Sequence, residues 1–598
     1  MRRVLLLSIV VGSLVALVAC TGDGADAAAD GPDASDPSRA DDTVDTGDTD
    51  DTADTADTDP PSTDDTADTG DTADTADTDP PSTDDTADTS DTADTDPPST
   101  DDTADTSDTD DTDDTGDDYV PVMPLVCEGD FTESDLEDLQ ACTTIIGSLT
   151  VTSSSLEELS LPHLVRLEIH RGVQILENDN LQRIAMPRLE EIVPSSSSGY
   201  QFVIAENDNL RHIDMPRLHM LTYEIHIFDN KALESLDLSG LALMNEGSVH
   251  LTANEALTTL DLSALTTILE GGLEVYDHPA LESLDLSALT EVSGFRFGIV
   301  NNGALTALDM DALTRVSGAE FQLRGLGATK LAFPALETVS VEQRFYISEM
   351  PSLLTLSFPA LRTVTVNGAW DMQHNEKLHT LSFPALTTIN VADMVRVTNN
   401  AMLTLLSLPA LTSCDAYLRI EENPILMTVE IPEIVHWGSL TWHNLYIADN
   451  PKLGTLKLPK LSFINGTITV SNTNVFAAFS APELTTVGAS IRLVNNAVLF
   501  AVNVPLLQST ALDLEVRQNP VLNSLKAASL VITGRDFIVA DNKMLMTLQM
   551  PGLMQVGRHF TVSDNPKLSQ ADVDALIAQV EAFSGIGGNI TTDGNKTP

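Results

Sequence analysis

Two histidines and a glutamate recur in this sequence at a fixed spacing. His226, His250 and Glu274 follow one another at intervals of 24 residues. Two imidazoles and a carboxylate form a ligand set that Zn²⁺ takes in proteins, provided that the fold stacks side chains two dozen positions apart. With 12 histidines in the chain, chance alignment is the simpler interpretation, so this trio is only a candidate metal site.

Five aspartates repeat with nearly the same period, each four positions after a recurring leucine: Asp214, Asp237, Asp261, Asp285 and Asp309. Stacked carboxylates offer Ca²⁺ a strip of oxygen ligands. At the strand spacing of about 4.8 Å, neighbouring carboxylates repel by about 0.9 kcal/mol in water, which a solvated surface tolerates. The alternative to a cation strip is a hydrated edge that discourages aggregation. Catalysis is disfavoured because no lysine or arginine stands nearby in that column.

A third candidate is an aromatic segment, residues 435–444, where the local repeat lengthens to about 27 residues. Exposed tryptophan is a common contact residue for protein or sugar partners. The residues of this segment that could contact a ligand are His436, Trp437, Trp442 and His443. The alternative is that both indole rings pack on the flank of the fold. Trp370, by contrast, occupies an apolar position and is predicted to lie in the core.

No motif in the sequence marks an enzyme. We find no Gly-rich phosphate loop, no GxSxG and no HExxH. A β-helical polysaccharide lyase or hydrolase needs paired carboxylates beside a basic residue, and the aspartate column does not offer that combination. The sequence therefore favours binding over catalysis.

A repeat must position these candidates. From residue 119 onward an apolar anchor, mostly leucine, recurs about every 24 residues, from Leu156 to Leu568. Apolar residues alternate within each repeat, as in Leu284–Leu286, which predicts short strands with one buried face. A recurring proline six positions after the anchor fits a corner. A recurring asparagine three positions before it fits a bend that needs either a left-handed residue or side-chain-to-backbone hydrogen bonds.

We therefore predict an all-β fold, a right-handed parallel β-helix or solenoid of about 18 coils with short capping helices at both ends. One coil is too small to bury its own apolar face, so stacking supplies the core. Residues 570–583 are predicted to form an amphipathic helix over the last coil. Cys414 falls where other coils carry valine or isoleucine, which predicts a buried thiol.

Charge is distributed unevenly along the chain. The net charge is −61, and residues 21–118 hold 37 acidic residues and one basic residue. A nucleic-acid partner is disfavoured because phosphate contacts need a basic surface. Residues 21–118 carry one long aliphatic side chain, Val44, so they cannot offset the entropy of ordering and are predicted to be a disordered linker. A Ca²⁺-binding array is the alternative, although the repeat DTDPPSTDDTADT lacks the glycine of a calcium loop.

The first twenty residues, MRRVLLLSIVVGSLVALVAC, have the layout of a secretory signal. Residues 17–20 resemble a bacterial lipobox, which implies that Cys20 is lipidated and becomes the new N-terminus. The Thr21 that follows leans toward the outer membrane. The alternative is an ordinary signal peptide. Because no other sustained apolar run exists in the sequence, the lipid is predicted to be the only membrane attachment, at the outer membrane or cell surface.

The start of the repeat region resembles the receptor L-domain, the ligand-binding β-helix of insulin- and EGF-receptor ectodomains. CEG at 127–129 precedes a predicted short helix, and CTTIIGSLTV at 142–151 matches the second cysteine and first coil of that family. The resemblance implies a β-helix with a receptor-like role and a Cys127–Cys142 disulfide that pins the cap, as suits an exported protein. The chain departs from the family in having about 18 coils rather than five or six. Leucine-rich repeats of the BspA-like kind share the period.

These observations divide the chain into a signal peptide (1–20), a linker (21–118), an N-terminal cap (119–142), a solenoid (143–568) and a C-terminal helix and tail (569–598). We predict a surface-anchored, non-enzymatic binding or adhesion protein with a protein or carbohydrate ligand. No cofactor is implied beyond the Ca²⁺ considered above. The alternatives are a structural envelope protein without a specific ligand and a β-helical carbohydrate-active enzyme.

Overall fold

A computed structural model of the chain describes residues 125–194 and 201–597. These residues form a parallel β-solenoid of about 17 turns and belong to one compact unit, residues 115–598. The predicted solenoid is confirmed. The predicted signal peptide, its lipidation site Cys20, the linker and the first residues of the N-terminal cap lie outside the described residues.

Most turns contribute a three-residue strand that follows the apolar anchor, and we call the surface of these strands the short face. The turn of Leu305 contributes only a single bridge, between Asp309 and Asp285. They pair in parallel as three sheets of six, six and four strands. The first sheet holds Glu158–Ser160, Arg183–Ala185, His212–Asp214, Ser235–Asp237, Thr259–Asp261 and Ser283–Asp285. The second holds Lys330–Ala332, Thr355–Ser357, Thr380–Ser382, Leu405–Ser407, Thr428–Glu430 and Thr455–Lys457. The third holds Ala478–Ser480, Ala501–Asn503, Ser524–Lys526 and Thr547–Gln549.

The remaining strands of the turns belong to one 33-stranded sheet. Its shorter strands follow the proline corner: Glu191–Pro194, Met220–Leu221, Leu243–Asn245, Thr267–Leu269, Glu291–Val292, Thr363–Val366, His436–Trp437, Phe463–Ile464, Thr486–Val487, Ser509–Thr510, Ile532–Thr533, Gln555–Val556 and Gly585–Ile586. The strands that come next in each turn form what we call the long face: Phe202–Ala205, Ile225–Phe228, Ser248–Thr252, Gly272–Tyr276, Arg296–Val300, Ala369–Gln373, Leu445–Ala448, Ile468–Ser471, Ile491–Val494, Leu514–Arg517, Phe537–Ala540, Phe560–Ser563 and Ile590–Thr591. In other turns the two strands are fused, and the second half of each fused strand also belongs to the long face: Val126–Thr132, Thr144–Thr152, Arg166–Leu176, Arg315–Arg324, Thr338–Ser348, Thr388–Thr398 and Ser413–Glu421.

The register of these sheets stacks equivalent residues of successive turns. His226 pairs with His250, and His250 pairs with Glu274. The same holds on the short face, where Asp237 pairs with both Asp214 and Asp261. The repeat period seen in the sequence is therefore the length of one turn, and side chains that share a position in the repeat form columns.

The core lies inside the coil and is mainly aliphatic. Anchor leucines such as Leu181, Leu257 and Leu378 have no exposed surface, and burial of apolar surface at about 25 cal/mol per Å² drives the stacking. Aromatic rings join the core midway, where Phe297 and Phe321 stack with centroids 4.8 Å apart. Trp370 and the free thiol of Cys414 are both buried, as predicted.

A column of buried asparagines runs along the bend between the long and short faces. The backbone N–H of Asn178 donates to Oδ1 of Asn207 at 3.0 Å, and Nδ2 of Asn207 donates to the carbonyl of Ile175 at 2.9 Å. Other members are Asn230, Asn254, Asn302, Asn375, Asn400, Asn423, Asn450, Asn496, Asn519, Asn542 and Asn565, all without exposed surface. The left-handed residue is instead the one before each asparagine, as at Glu177 with φ 55° and His374 with φ 55°. Of the two roles left open by the sequence, asparagine takes the hydrogen-bonding one.

Short helices cover both ends, as predicted. At the N-terminal end lie a 3-10 helix, Glu133–Asp135, and one α-helical turn, Leu136–Leu139. The disulfide that the L-domain resemblance implied joins Cys127 to Cys142, with Cα atoms 6.0 Å apart. At the other end the α-helix Gln570–Glu581 buries Val573, Leu576 and Val580. No helix within the described ranges is long and apolar enough to cross a membrane.

Candidate functional site

The five aspartates stand in one column of the short face, but they serve the corners of the coil. In four of them Oδ1 accepts the backbone N–H two residues on, in the pairs Asp237–Ser239 (3.0 Å), Asp261–Ser263 (3.0 Å), Asp285–Ser287 (2.9 Å) and Asp309–Asp311 (2.9 Å). Two residues after Asp214 stands Pro216, which has no N–H, and Asp214 pairs instead with Arg183 at 2.7 Å. Four of the five carboxylates therefore stabilise turns, and the Ca²⁺ strip stays a prediction.

The aromatic segment divides into buried and exposed residues, which corrects two of the four predicted contacts. Trp437 has no exposed surface, and its Nε1 donates to the carbonyl of Ala416 at 3.1 Å. His443 is only 3% exposed. Neither side chain is accessible to a ligand. Trp442 is 45% exposed and His436 is also exposed, so these two keep the predicted accessibility.

The sequence contained the signal for the buried indole. Trp437 pairs with Cys414 on the preceding turn and with Ile464 on the next. Both neighbours occupy inward positions, so Trp437 lies in a core column even though its local repeat is longer. The extra residues of the turn come after the tryptophan and leave its register unchanged.

The predicted histidine column is present on the long face. The rings of His226 and His250 stack with centroids 4.4 Å apart and an 11° angle between their planes. Nδ1 of His250 lies 3.4 Å from Oε1 of Glu274, and the same oxygen lies 3.3 Å from the Arg296 guanidinium. Burial opposes ionisation of Glu274, but His250 and Arg296 outweigh it and lower the pKa of this carboxyl.

A second carboxylate, which sequence reasoning missed, meets the histidines from the other side. Oε2 of Glu224 lies 3.3 Å from Nε2 of His226. Glu224, His226 and His250 bring three potential ligand atoms within 4.8 Å of one another, and no other group of three among the described residues does so. The available signal was local, because Glu224 precedes His226 by two positions and side chains two apart on a strand share a face.

A cluster of tyrosines and arginines lies farther along the long face. We call Tyr346, Arg396, Tyr417, Arg419 and Tyr446 the tyrosine–arginine patch. Arg396 pairs with Arg419 across neighbouring strands, and Arg419 pairs with Tyr446. All five side chains alternate along their strands with buried residues and are partly exposed, which shows that they point outward. No local motif marks these five residues in the sequence, because their grouping follows from the stacking of turns.

Ion pairs and ring contacts hold the patch in place. Nη1 of Arg396 lies 2.9 Å from both carboxylate oxygens of Asp371, whose side chain is 2% exposed. Arg419 bonds Glu421 and lies over the ring of Tyr446, 5.7 Å from its centroid. Burial raises the pKa of Asp371 despite the adjacent guanidinium. Arg396 therefore compensates a charge that is costly to bury.

Comparisons with known proteins do not assign a family. No protein-family model matches the chain, and no curated protein matches it. Similar solved structures include a chain of the Toll–Spatzle complex from Drosophila, 13% identical over 76% of this chain with a TM-score of 0.25. This chain spans 66% of that one, just under two thirds of its length.

Two bacterial structures are also similar. YopM from Yersinia enterocolitica is 16% identical, with 72% of this chain and 91% of YopM covered and a TM-score of 0.19. A leucine-rich repeat protein from Bacteroides ovatus is 12% identical, with 69% and 87% covered and a TM-score of 0.16. The present chain, on its own geometry, is a parallel β-solenoid built from leucine-rich coils.

Proposed function

We propose that this protein is a non-enzymatic recognition protein whose long face binds a protein partner. The observation that carries the proposal is the tyrosine–arginine patch. Tyrosine and arginine are enriched among the residues that supply most of the binding energy at protein interfaces. The absence of catalytic sequence motifs supports a binding role.

The patch is also organised before any partner arrives. Arg396 is held by Asp371, and Arg419 is held by Glu421 and the ring of Tyr446. Immobilising a flexible side chain on binding costs about 0.5–1.5 kcal/mol, and side chains that are already fixed avoid part of that cost. The strands beneath are hydrogen-bonded on both sides, which gives the contact surface a rigid base.

Site-specific photo-crosslinking tests the proposal in cells that express the full chain. The photoreactive amino acid p-benzoylphenylalanine replaces Tyr417 in the patch and, as a matched control, Thr428 on the short face. We expect irradiation to give a discrete protein adduct from position 417 and none from position 428. Mass spectrometry of the adduct identifies the partner.

The outcomes separate the possible ligands. Adducts at both positions, or at neither, contradict recognition through the long face. An adduct whose added mass is glycan replaces the protein partner with a carbohydrate. Substitution Arg396→Met should reduce the yield of the adduct from position 417 if the patch contributes to affinity.

We further propose that a lipid on Cys20 anchors the chain at the bacterial outer membrane and that residues 21–118 act as the linker. The lipobox-like residues 17–20 and the acidic composition of the linker support this proposal. Growth with radiolabelled palmitate should label the wild-type protein but not a Cys20→Ala variant. Protease added to intact cells should degrade the solenoid if it faces outward. Label on the variant would contradict the anchor, and resistance to protease would contradict the outward orientation.

A further inference from the structure

We propose that Glu224, His226 and His250 form a Zn²⁺ site on the long face. The three side chains come from two neighbouring strands, Ile225–Phe228 with the residue just before it and Ser248–Thr252. The site differs from the sequence prediction in its carboxylate, because Glu224 replaces Glu274 as a ligand. The proposal does not depend on the patch farther along the face or on any partner.

The geometry suits a small tetrahedral ion. Ligand atoms bound to Zn²⁺ at about 2.1 Å lie about 3.4 Å from one another in a tetrahedron. The Glu224 oxygen and the His226 nitrogen already lie 3.3 Å apart, and all three ligand atoms lie within 4.8 Å. The two imidazole rings stack almost parallel, so binding requires them to turn toward the ion, and their partial exposure leaves room for that rotation.

Glu274 acts on the site through His250. A metal-binding histidine usually gives its second ring N–H to a carboxylate, which fixes the tautomer and makes the ligating nitrogen more basic. Nδ1 of His250 lies 3.4 Å from Glu274, and Arg296 holds that carboxylate from its other side. Nε2 of His250 is then the nitrogen with a free lone pair for the metal. We therefore assign Glu274 as a positioning residue.

The carboxylate ligand is itself positioned. Oε2 of Glu224 lies 3.3 Å from Nε2 of His226, and the amide of Gln201 adds a hydrogen bond. Two imidazoles and one carboxylate favour Zn²⁺ over Ca²⁺ and Mg²⁺, which prefer all-oxygen sites. Because Glu224 is exposed, a water molecule can complete the tetrahedron.

Titration of the metal-free full chain with Zn²⁺ against a chromophoric chelator tests the site. We expect one strongly bound Zn²⁺ per wild-type chain and at least a tenfold loss of affinity in His226→Gln and in His250→Gln. Glu274→Gln should weaken binding about tenfold, the loss usual for a second-sphere carboxylate. Co²⁺ should give the strong visible absorption of a four-coordinate ion in the wild type and lose it in His226→Gln.

Controls keep the result specific. The variant His379→Gln removes an exposed histidine of the short face and should bind like the wild type. His226→Gln, His250→Gln and His379→Gln should melt close to the wild-type temperature in metal-free buffer, because their side chains point outward. Glu274→Gln should melt lower, because it removes the carboxylate that pairs with Arg296. Zn²⁺ should raise the melting temperatures of the wild type and of His379→Gln, and should leave those of His226→Gln and His250→Gln nearly unchanged. Equal affinity in the wild type and His226→Gln would overturn the proposal, because the ion would then be bound elsewhere, such as by the acidic residues 21–118.

Discussion

His278 occupies one position in the column of buried asparagines, but it makes only some of the hydrogen bonds that an asparagine makes there. Its Nδ1 accepts the backbone N–H of Asn254 at 3.1 Å, and its own N–H donates to Asn302 at 2.9 Å. Nε2, which must then carry the ring proton, is buried without a hydrogen-bond partner. Burial also lowers the pKa of His278.

Replacing this residue with the asparagine of the neighbouring turns should stabilise the protein. We expect His278→Asn to gain about 1 kcal/mol at pH 7, because a buried unsatisfied donor costs about that much or more. As the pH falls below the ordinary histidine pKa, the unfolded chain takes up a proton that the folded chain resists, so wild-type stability declines. Thermal melts between pH 7 and 5 should show a shallower decline in the variant. An identical slope would contradict this account, and His379→Asn serves as the exposed control.

A second prediction at the scale of the residue concerns the ion pair between Arg396 and Asp371. Removing the guanidinium with Arg396→Met leaves the Asp371 carboxylate buried without its counter-ion, at a cost of about 2 kcal/mol. Because burial raises the pKa of Asp371, loss of the arginine should raise it further, and the variant should regain stability as acid protonates the carboxyl. A double variant with Asp371→Asn should recover most of the loss in denaturant melts. An additive result would show that the two side chains are not coupled.

At the scale of the element, the corner of the short face shows one structural task performed in two ways. Where proline follows two positions after the strand, as at Pro216, no backbone donor needs a partner. Where serine stands there instead, an aspartate accepts its N–H, as Asp285 does from Ser287. This bond is the main cause of the lowered pKa of Asp285.

Two substitutions separate the turn from the charge. Asp285→Asn keeps a side-chain oxygen and should be nearly neutral, whereas Asp285→Ala loses the acceptor and should cost about 1 kcal/mol. Asp214→Ala should cost less, because that aspartate makes only an exposed ion pair with Arg183. Urea melts give the free energy of unfolding of all three variants. Millimolar Ca²⁺ should leave the melting temperature of His226→Gln, which lacks the proposed Zn²⁺ site, unchanged. A Ca²⁺-dependent rise in that variant would support the cation strip.

At the scale of the whole molecule, the ends decide where unfolding begins. An interior turn is paired on both sides, whereas a terminal turn depends on its cap. The N-terminal cap is tied by a disulfide that spans 15 residues, and a loop of that length stabilises by about 3 kcal/mol in the chain-entropy picture.

The double variant Cys127→Ser/Cys142→Ser should therefore loosen one end only. Hydrogen exchange should accelerate in Val126–Thr132 and Thr144–Thr152 and stay unchanged in Phe537–Ala540 near the other end. Uniform acceleration along the solenoid would show instead that the turns unfold as a single cooperative unit.

The sequence by itself determined the architecture and its columns. A repeat near 24 residues with alternating apolar positions can bury its apolar face only by stacking, and parallel stacking at one turn per repeat places residues with the same repeat position above one another. The repeat period therefore predicted the histidine column, the aspartate column and the buried positions of Trp370 and Cys414. Counting one repeat forward from Cys414 also places Trp437 in a core column.

Only the tertiary structure decided which contacts the side chains in these columns make. An aspartate in the sequence does not show that its oxygen is already bonded to a neighbouring N–H, and an asparagine does not show which of two bend roles it takes. The proposed metal site contains Glu224 instead of Glu274, because the distances between side-chain atoms, rather than the repeat positions, decide which residues can share an ion. The tyrosine–arginine patch likewise exists because four separate turns contribute its five residues to a common face, a proximity that no single repeat encodes.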